Sequence, residues 1–485
     1  MFDFLKLKKE HDNSIITLER FIQEHIEAFE RSPERLAMLD GEAYYRNENK
    51  INRRNIYRYE DERKVIDPTK PNNKISHSFM KLLVDEKIGY FLGQDISITS
   101  TNEKLQQAVN EILDEDFMDT LNDIGVEASN KGIAWLHVYI DEEGDLGFMQ
   151  IPAEQIIPLW ADIAHKNLDA LIRYYYVDTY IGAETKQIKK VEYWTKDGAM
   201  YYVEDCGQLI PDIEANQIGE HIGHFNLGGE EFGWGKIPYI PFKNNSFELN
   251  DLHFVKGIID DYDKKTSDTS NTLEEISELI YVLKNYGGTN LGEFMKDLKY
   301  YKAIKVDDDG GVDTISGSID TTAVEAHLER LKKDFYHFGQ GVDMDPNNIG
   351  QSTSGVALEY LYSKLKLKVD NMERKFKHSF KRLFLFITEY LGMSGGGVYN
   401  HKDLKVTFTR SMISNLAENI EAVNNSVQLI SKKTALAHHP WVNDVEDELR
   451  QIEEEEERID FNNISYGPEI EEEEKEDLRE DLINE

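Results

Sequence analysis

The sequence predicts an α+β protein, with helices and an antiparallel, tyrosine-rich sheet in its first half and long helices in its second. Three patterns carry that prediction. Apolar residues recur at helical spacing near the N-terminus and again over most of 251–390. Apolar and polar residues alternate through 133–205, broken at Gly-containing turns. A stripe spaced by threes and fours then runs through 251–280.

Taken in order, Asn13 to Arg31 reads as an amphipathic helix with Ile15, Leu18, Ile22, Ile26 and Phe29 on one face, and Pro33 stops it or starts the next. Residues 44–73 read as a polar, charged connector. NKISHSFMKLLVDEKIGYFLGQDI (73–96) reads as a helix with Phe79, Leu82, Leu83 and Ile88 inward, broken at Gly89 and Gly93 and leaving as a short strand. An acidic helix follows. GIAWLHVYIDEEGDLGFMQI (132–151) reads as a hairpin turning at Glu143-Gly144, and LIRYYYVDTY, KKVEYWT and AMYYVED as further strands, the last two joined at Asp197-Gly198.

Over 251–280, Leu252, Val255, Ile259, Tyr262, Thr266, Thr269, Leu273, Ile276 and Ile280 keep heptad spacing, enough for about 45 Å of helix. Val324, Leu328, Leu331, Phe335 and Phe338 repeat the seam in a shorter helix. Between them lies a segment with a hairpin signal at Asp309-Gly310, so two helices carry a small α/β tip out and back. From Ser354, a suitable N-cap, to about Tyr390, a helix carries Leu358, Leu361, Leu365, Val369, Met372, Phe376, Phe380, Phe384, Ile387 and Leu391 in one stripe, with Gly392 as its stop. A strand at KVTFTR, a helix over 414–431 and an acidic tail close the chain. No internal repeat is evident.

The 485 residues are enough for about three domains, and 40% hydrophobic content supplies real cores. The net charge of −37 excludes a protein that grips nucleic acid by neutralising phosphates. Much of the excess lies from Asp444 onward, 20 acids against 4 bases, which reads as a solvated helix running into a disordered tail. A single cysteine, Cys206, excludes an intramolecular disulfide. The charged N-terminus is no signal peptide, and the longest apolar run, LFLFI, is too short to span a bilayer. The expectation is a soluble intracellular product with no membrane partner.

GQSTSGVALEYL (350–361) looks like a phosphate-cradling loop, since Gly350 and Gly355 have the spacing, but Val356 stands where the lysine belongs. VDMDPNNI before it does not read as a buried strand. DMDPNNIGQSTS opens like a calcium loop at Asp343, Asp345 and Asn347, yet has Asn348 in place of glycine and Ser354 in place of the bidentate glutamate. Asp307, Asp308 and Asp309 read as a solvated turn rather than a cation site. His438 and His439 lack zinc companions and read as a helix start. SFMK (78–81) matches Ser-x-x-Lys without its companion motifs, so chance explains it. The basic run Lys364, Lys366, Lys368, Arg374, Lys375, Lys377, Lys381 and Arg382 reads as a partner for acids of a neighbouring subunit rather than for nucleic acid. No catalytic, metal or cofactor site emerges.

The order of parts resembles the portal proteins of tailed bacteriophages, specifically those of phages of Gram-positive hosts. The resemblance lies in residues 73–93, in EASNKGIAWLHVYIDEEGDLGFMQIPAEQIIPLW (127–160), GKIPYIPFKNN (235–245), IDDYDKKTSDTSNTLEEISELIYVLKNYGG (259–288), STSGVALEYLYSKL (352–365) and HHPWVNDVEDELRQIEEE (438–455). It implies a non-enzymatic ring of about a dozen subunits at one capsid vertex. Terminase drives double-stranded DNA through such a ring, head-completion proteins dock later, and capsid and scaffolding proteins surround it. That places it in the virion, assembled in the host cytoplasm.

Carried over by position, 1–250 is a wing, 251–280 and 320–341 the stem, 281–319 the clip, 342–354 a tunnel loop, 355–410 the long helix and closing strand, and 411–485 a crown with the tail. The resemblance makes Asp345, Asn347, Asn348, Gln351, Ser352, Thr353 and Ser354 the DNA-facing loop residues. It makes Lys284, Tyr286, Lys296, Lys299, Asp307, Asp308 and Asp309 the clip's contacts with terminase or adaptor. The stem seam is Leu252, Val255, Ile259, Tyr262, Leu273, Ile276, Leu328, Leu331 and Phe335. Small, hydroxylated residues in the loop touch DNA without a fixed positive charge, and an acidic conduit avoids the affinity that would stall a sliding duplex. Two readings compete: a nucleotide-dependent enzyme built on Gly350–Gly355, and a scaffold or collar ring that conducts no DNA.

Overall fold

Two capping side chains set the start of the chain: Thr17 accepts the N–H of Arg20 at 3.3 Å and Ser32 that of Arg35 at 3.1 Å. Helices α1 (Leu18–Glu30) and α2 (Pro33–Tyr45) follow, with Pro33 in the first turn where its missing N–H costs nothing. The computed structural model describes residues 16–141, 143–181, 184–213, 215, 222–227, 230–276, 280–284, 292, 311–315, 320–343, 355–411, 416–437, 439, 441–442 and 445–464. The architecture is α+β.

Residues 44–73 are more than a connector. They form a short 3-10 turn and a hairpin of β1 (Tyr57–Glu60) and β2 (Arg63–Ile66), and then run on extended. The hairpin turns on Asp61 and Glu62, both at positive φ, without the Asn-Gly or Asp-Gly pair that advertises such turns. Helix α3 (Phe79–Leu92) starts six residues later than the pattern predicts and passes through Gly89 unbroken. Met80, Leu83, Val84 and Ile88 are buried, but Leu82 is 47% exposed, against expectation.

Strand β3 (Ser97–Ser100) and helices α4 (Glu103–Ile112) and α5 (Glu115–Lys131) lead to the sheets. Strands β4 (Ile133–Ile140) and β5 (Leu146–Ile151) form the predicted hairpin, with Gly144 at φ +92°. Strands β6 (Ile156–Trp160), β7 (Leu168–Ile181), β8 (Glu184–Trp194), β9 (Ala199–Asp205) and β10 (Gln208–Pro211) make an antiparallel sheet in which every strand neighbours the next. Helix α1 covers it, burying Phe21, Ile22 and Ile26 against Ile172, Tyr174 and Val191. After the short pair β11 (Phe225–Leu227) and β12 (Glu230–Phe232), β13 (Tyr239–Lys243) joins β4.

Helix α6 (Leu252–Ile276) ends short of residue 280. Ile280 instead opens β14 (Ile280–Lys284), which pairs with β15 (Gly311–Ile315). The run IYVLK is β-branched and aromatic and suits a strand better than a helix end. Helix α7 (Thr321–Gly339) returns, and α8 (Gly355–Met393) is 39 residues long, running past Gly392 to a glycine-rich turn. From Leu365 to Leu391 the predicted stripe of α8 is buried and forms the centre of the main core, each side chain worth roughly 1.5–3 kcal/mol. Strand β16 (Leu404–Thr407) then pairs with β3.

The described residues fall into two units, one within 1–348 and 361–411 and the other within 349–360 and 412–485. The second contains α9 (Leu416–Ser426), shorter than predicted, α10 (Lys432–Ala437) and α11 (Val445–Ile464). His439 does not start a helix. Its N–H bonds the Leu436 carbonyl at 3.0 Å, so it closes the end of α10. Among the described residues no helix is long and apolar enough to cross a membrane.

Candidate functional site

The candidate site is the pair α6 and α7 with the root of the segment that follows them. The heptad seam brings the pair together only in part. Leu252, Val255, Ile259 and Phe335 are buried in the main core, while Tyr262, Leu328 and Leu331 are half-buried and Leu273 is 52% exposed. The helices run antiparallel, with Gly339 against Val255 at one end and Asp261 bonded to His327 Nε2 at 3.0 Å further out. Phe79 from α3 wedges between them, its ring 5.0 Å from Tyr262 and 4.7 Å from Phe335.

A second face of α6 is polar and buried. Asp263, Ser267 and Asn271, four residues apart, accept the backbone N–H groups of His77, Ile75 and Asn73 at 3.0, 3.0 and 2.7 Å. Two residues of extended chain advance about 6.6 Å and four residues of helix about 6 Å, so the two elements keep step. Asp263 also accepts from Asn49 at 2.6 Å and meets the His77 ring at 2.7 Å, and Arg54 pairs with Asp268. The strap formed by 73–77 therefore zips along the helix. A sequence signal existed: Asp, Ser and Asn are poor interior helix residues unless their side chains serve another backbone.

At the root of the pair lies a buried charge hub. The Asp251 carboxylate takes Lys87 Nζ at 2.7 Å, Lys368 Nζ at 3.1 Å and the Asn244 amide at 2.9 Å. Burial alone would raise its pKa, but Lys368 and Lys87 hold it down at about 2. Burial lowers Lys87 to about 8 against the pull of Asp251. Lys368 also donates to the Gly339 carbonyl at 2.9 Å, so the hub joins α3, α6, α7 and α8. That bond uses one member of the predicted basic run within the chain. Lys364 meets His337 at 2.8 Å and Lys377 pairs with Glu373 at 2.7 Å.

Gln340 takes the left-handed conformation that ends α7, and the N–H of Val342 then donates to Glu86 Oε2 at 3.0 Å. Burial pushes the Glu86 carboxyl up to about 7, opposed by that N–H and by Lys368. The root of the predicted tunnel loop is thus pinned at Val342. Asp345, Asn347, Asn348, Gln351, Ser352, Thr353 and Ser354 lie outside the described residues, as do Tyr286, Lys296, Lys299, Asp307, Asp308 and Asp309 of the predicted clip. Lys284 stands opposite Gly311 in the β14–β15 pair. Among the described residues no His, Cys, Asp or Glu group is arranged to hold a metal.

The family model described as "Phage portal protein, SPP1 Gp6-like" matches residues 28–460. The chain belongs to that portal family. Its role is accordingly that of a phage portal, the connector at the head. It is 38% identical over 442 residues to the portal protein of Bacillus phage SPP1, covering 90% of this chain and 86% of that one. It is 35% identical over 451 residues to the portal protein of Clostridium phage phiCD119, covering 89% and 95%. Among solved structures, the neck of a native GTA particle matches 74% of this chain and 88% of its own at 9% identity, with a TM-score of 0.37 too low to carry weight. The portal match spans the antiparallel sheets, α6, α7 and α8 alike.

Proposed function

We propose that the chain is a structural, non-enzymatic subunit of a homo-oligomeric ring of about a dozen copies at one capsid vertex of the virion, assembled in the host cytoplasm. Double-stranded DNA passes through this ring during packaging and ejection. The ring docks the large terminase and later the head-completion proteins, with capsid and scaffolding proteins around it. In this reading α6 and α7 are the stem, 281–319 the clip, 342–354 the tunnel loop and 411–485 the crown.

The observation that carries the reading is the antiparallel pair α6 and α7. It is rooted in the main core at Leu252, Val255, Ile259 and Phe335 and opens outward to a half-exposed seam that one copy does not bury. In a portal family member this suits a stem completed by its neighbours. The overall charge of −37 suits a conduit that lets a polyanion slide. The test is to cross-link residues 342–354 to DNA in filled heads, together with a Gly350→Val/Gly355→Val variant. Cross-links to DNA, and rings that form but package poorly in the variant, are the expected results. A loop that never meets DNA, with normal packaging by the variant, overturns the tunnel assignment. Turnover of ATP by the purified chain alone would favour the enzyme reading.

A further inference from the structure

The hairpin β1–β2 has two unlike faces. Register pairs Tyr57 with Ile66 and Tyr59 with Lys64, which puts both tyrosines, Ile66 and Lys64 on one face. Arg58, Glu60, Arg63 and Val65 share the other, where Arg58 pairs with Glu60 and with Asp67. The alternation is that of a ribbon with one covered face, yet Tyr59 is 77% and Ile66 56% exposed. A lone two-stranded ribbon is marginal in water, and this one turns on Asp61 and Glu62 in the left-handed region, at about 1 kcal/mol or more each.

We infer that the Tyr57/Tyr59/Ile66 face docks on a second copy of this chain, making the hairpin an arm between neighbouring subunits. The inference rests on the ring reading above. Charge favours this partner: residues 46–74 hold nine bases against five acids in a chain whose net charge is −37, so the segment and the rest of another copy carry opposite net charge. A nucleic acid fits less well. The tip presents Glu60, Asp61 and Glu62 in succession, which repels phosphates, and Arg58 is already paired with Glu60 and Asp67.

The experiment replaces Tyr59 with photoreactive benzoylphenylalanine in the full chain, irradiates assembled protein and maps the products. In parallel, the assembly of Tyr57→Ser/Tyr59→Ser/Ile66→Ser is measured against concentration. Because all three side chains are exposed, the variant monomer should melt as the wild type does. Expected are cross-links between copies in rings and none in monomers, and an assembly midpoint raised at least about tenfold. Cross-links confined to one chain, cross-links to DNA in filled heads, or unchanged assembly of the variant each overturn the inference and leave the ring standing. A wild-type chain that stays monomeric at every concentration overturns both.

Discussion

The root of α6 and its outer half are held by different chemistry. At the root, Leu252, Val255 and Ile259 are in the main core and Asp251 holds two lysines out of water. Further out, Asp263, Ser267 and Asn271 receive a strap's backbone while Leu273 on another face stands half in solvent. One end of the helix is fixed by apolar burial around a buried charge hub. The other is fixed by a ladder of directional bonds that sets its rotation and leaves apolar surface half exposed. A helix pair built this way has a buried foot and a shaft that keeps apolar surface half exposed.

The largest effect should come from the foot. Asp251→Ala leaves Lys87 and Lys368 sharing a buried site with no counter-charge, and should lower stability by about 3–5 kcal/mol in chemical denaturation. Asp263→Ala, which strips the acceptor from two donors of His77 and from Asn49, should cost about 2–3 kcal/mol and speed hydrogen exchange at the strap while sparing the foot. Equal losses of protection at both ends of α6 would erase the contrast.

Glu86 sharpens it through pH. With its folded pKa raised from 4.5 to about 7, the folded state binds the extra proton between those values. Its contribution is therefore full at low pH and is lost as pH rises through 7. Glu86→Gln keeps an acceptor for the Val342 N–H and removes the titration. It should flatten the melting temperature between pH 5 and 8, gaining about 1–2 kcal/mol at the upper end. The smallest effect should be at the exposed pair across the shaft: His327→Ala changes stability by about 0.5 kcal/mol or less in the same melts.

Much of this was legible in the sequence. Period two found β4, β5, β7, β8 and β9, and period 3.6 found α1, α6, α7 and α8 with the buried stripe from Leu365 to Leu391. What it missed has local causes. The β1–β2 hairpin turns on Asp61 and Glu62, which carry no turn signature, and the strap 73–77 resembles a helix start because Ile75 and Phe79 are four residues apart. The Asp251 hub joins residues 87, 244, 251 and 368, and no spacing along the chain predicts such a meeting. The polar row at 263, 267 and 271 was on view, overshadowed by the apolar seam beside it.

Mass photometry of the purified chain, followed by electron microscopy of the dominant species, tests the central claim most directly. A closed ring near a dozen copies is predicted, with α6 and α7 around an axial hole as wide as a DNA duplex. A dominant species with no axial opening, or one whose α6 and α7 face away from the axis, would contradict it.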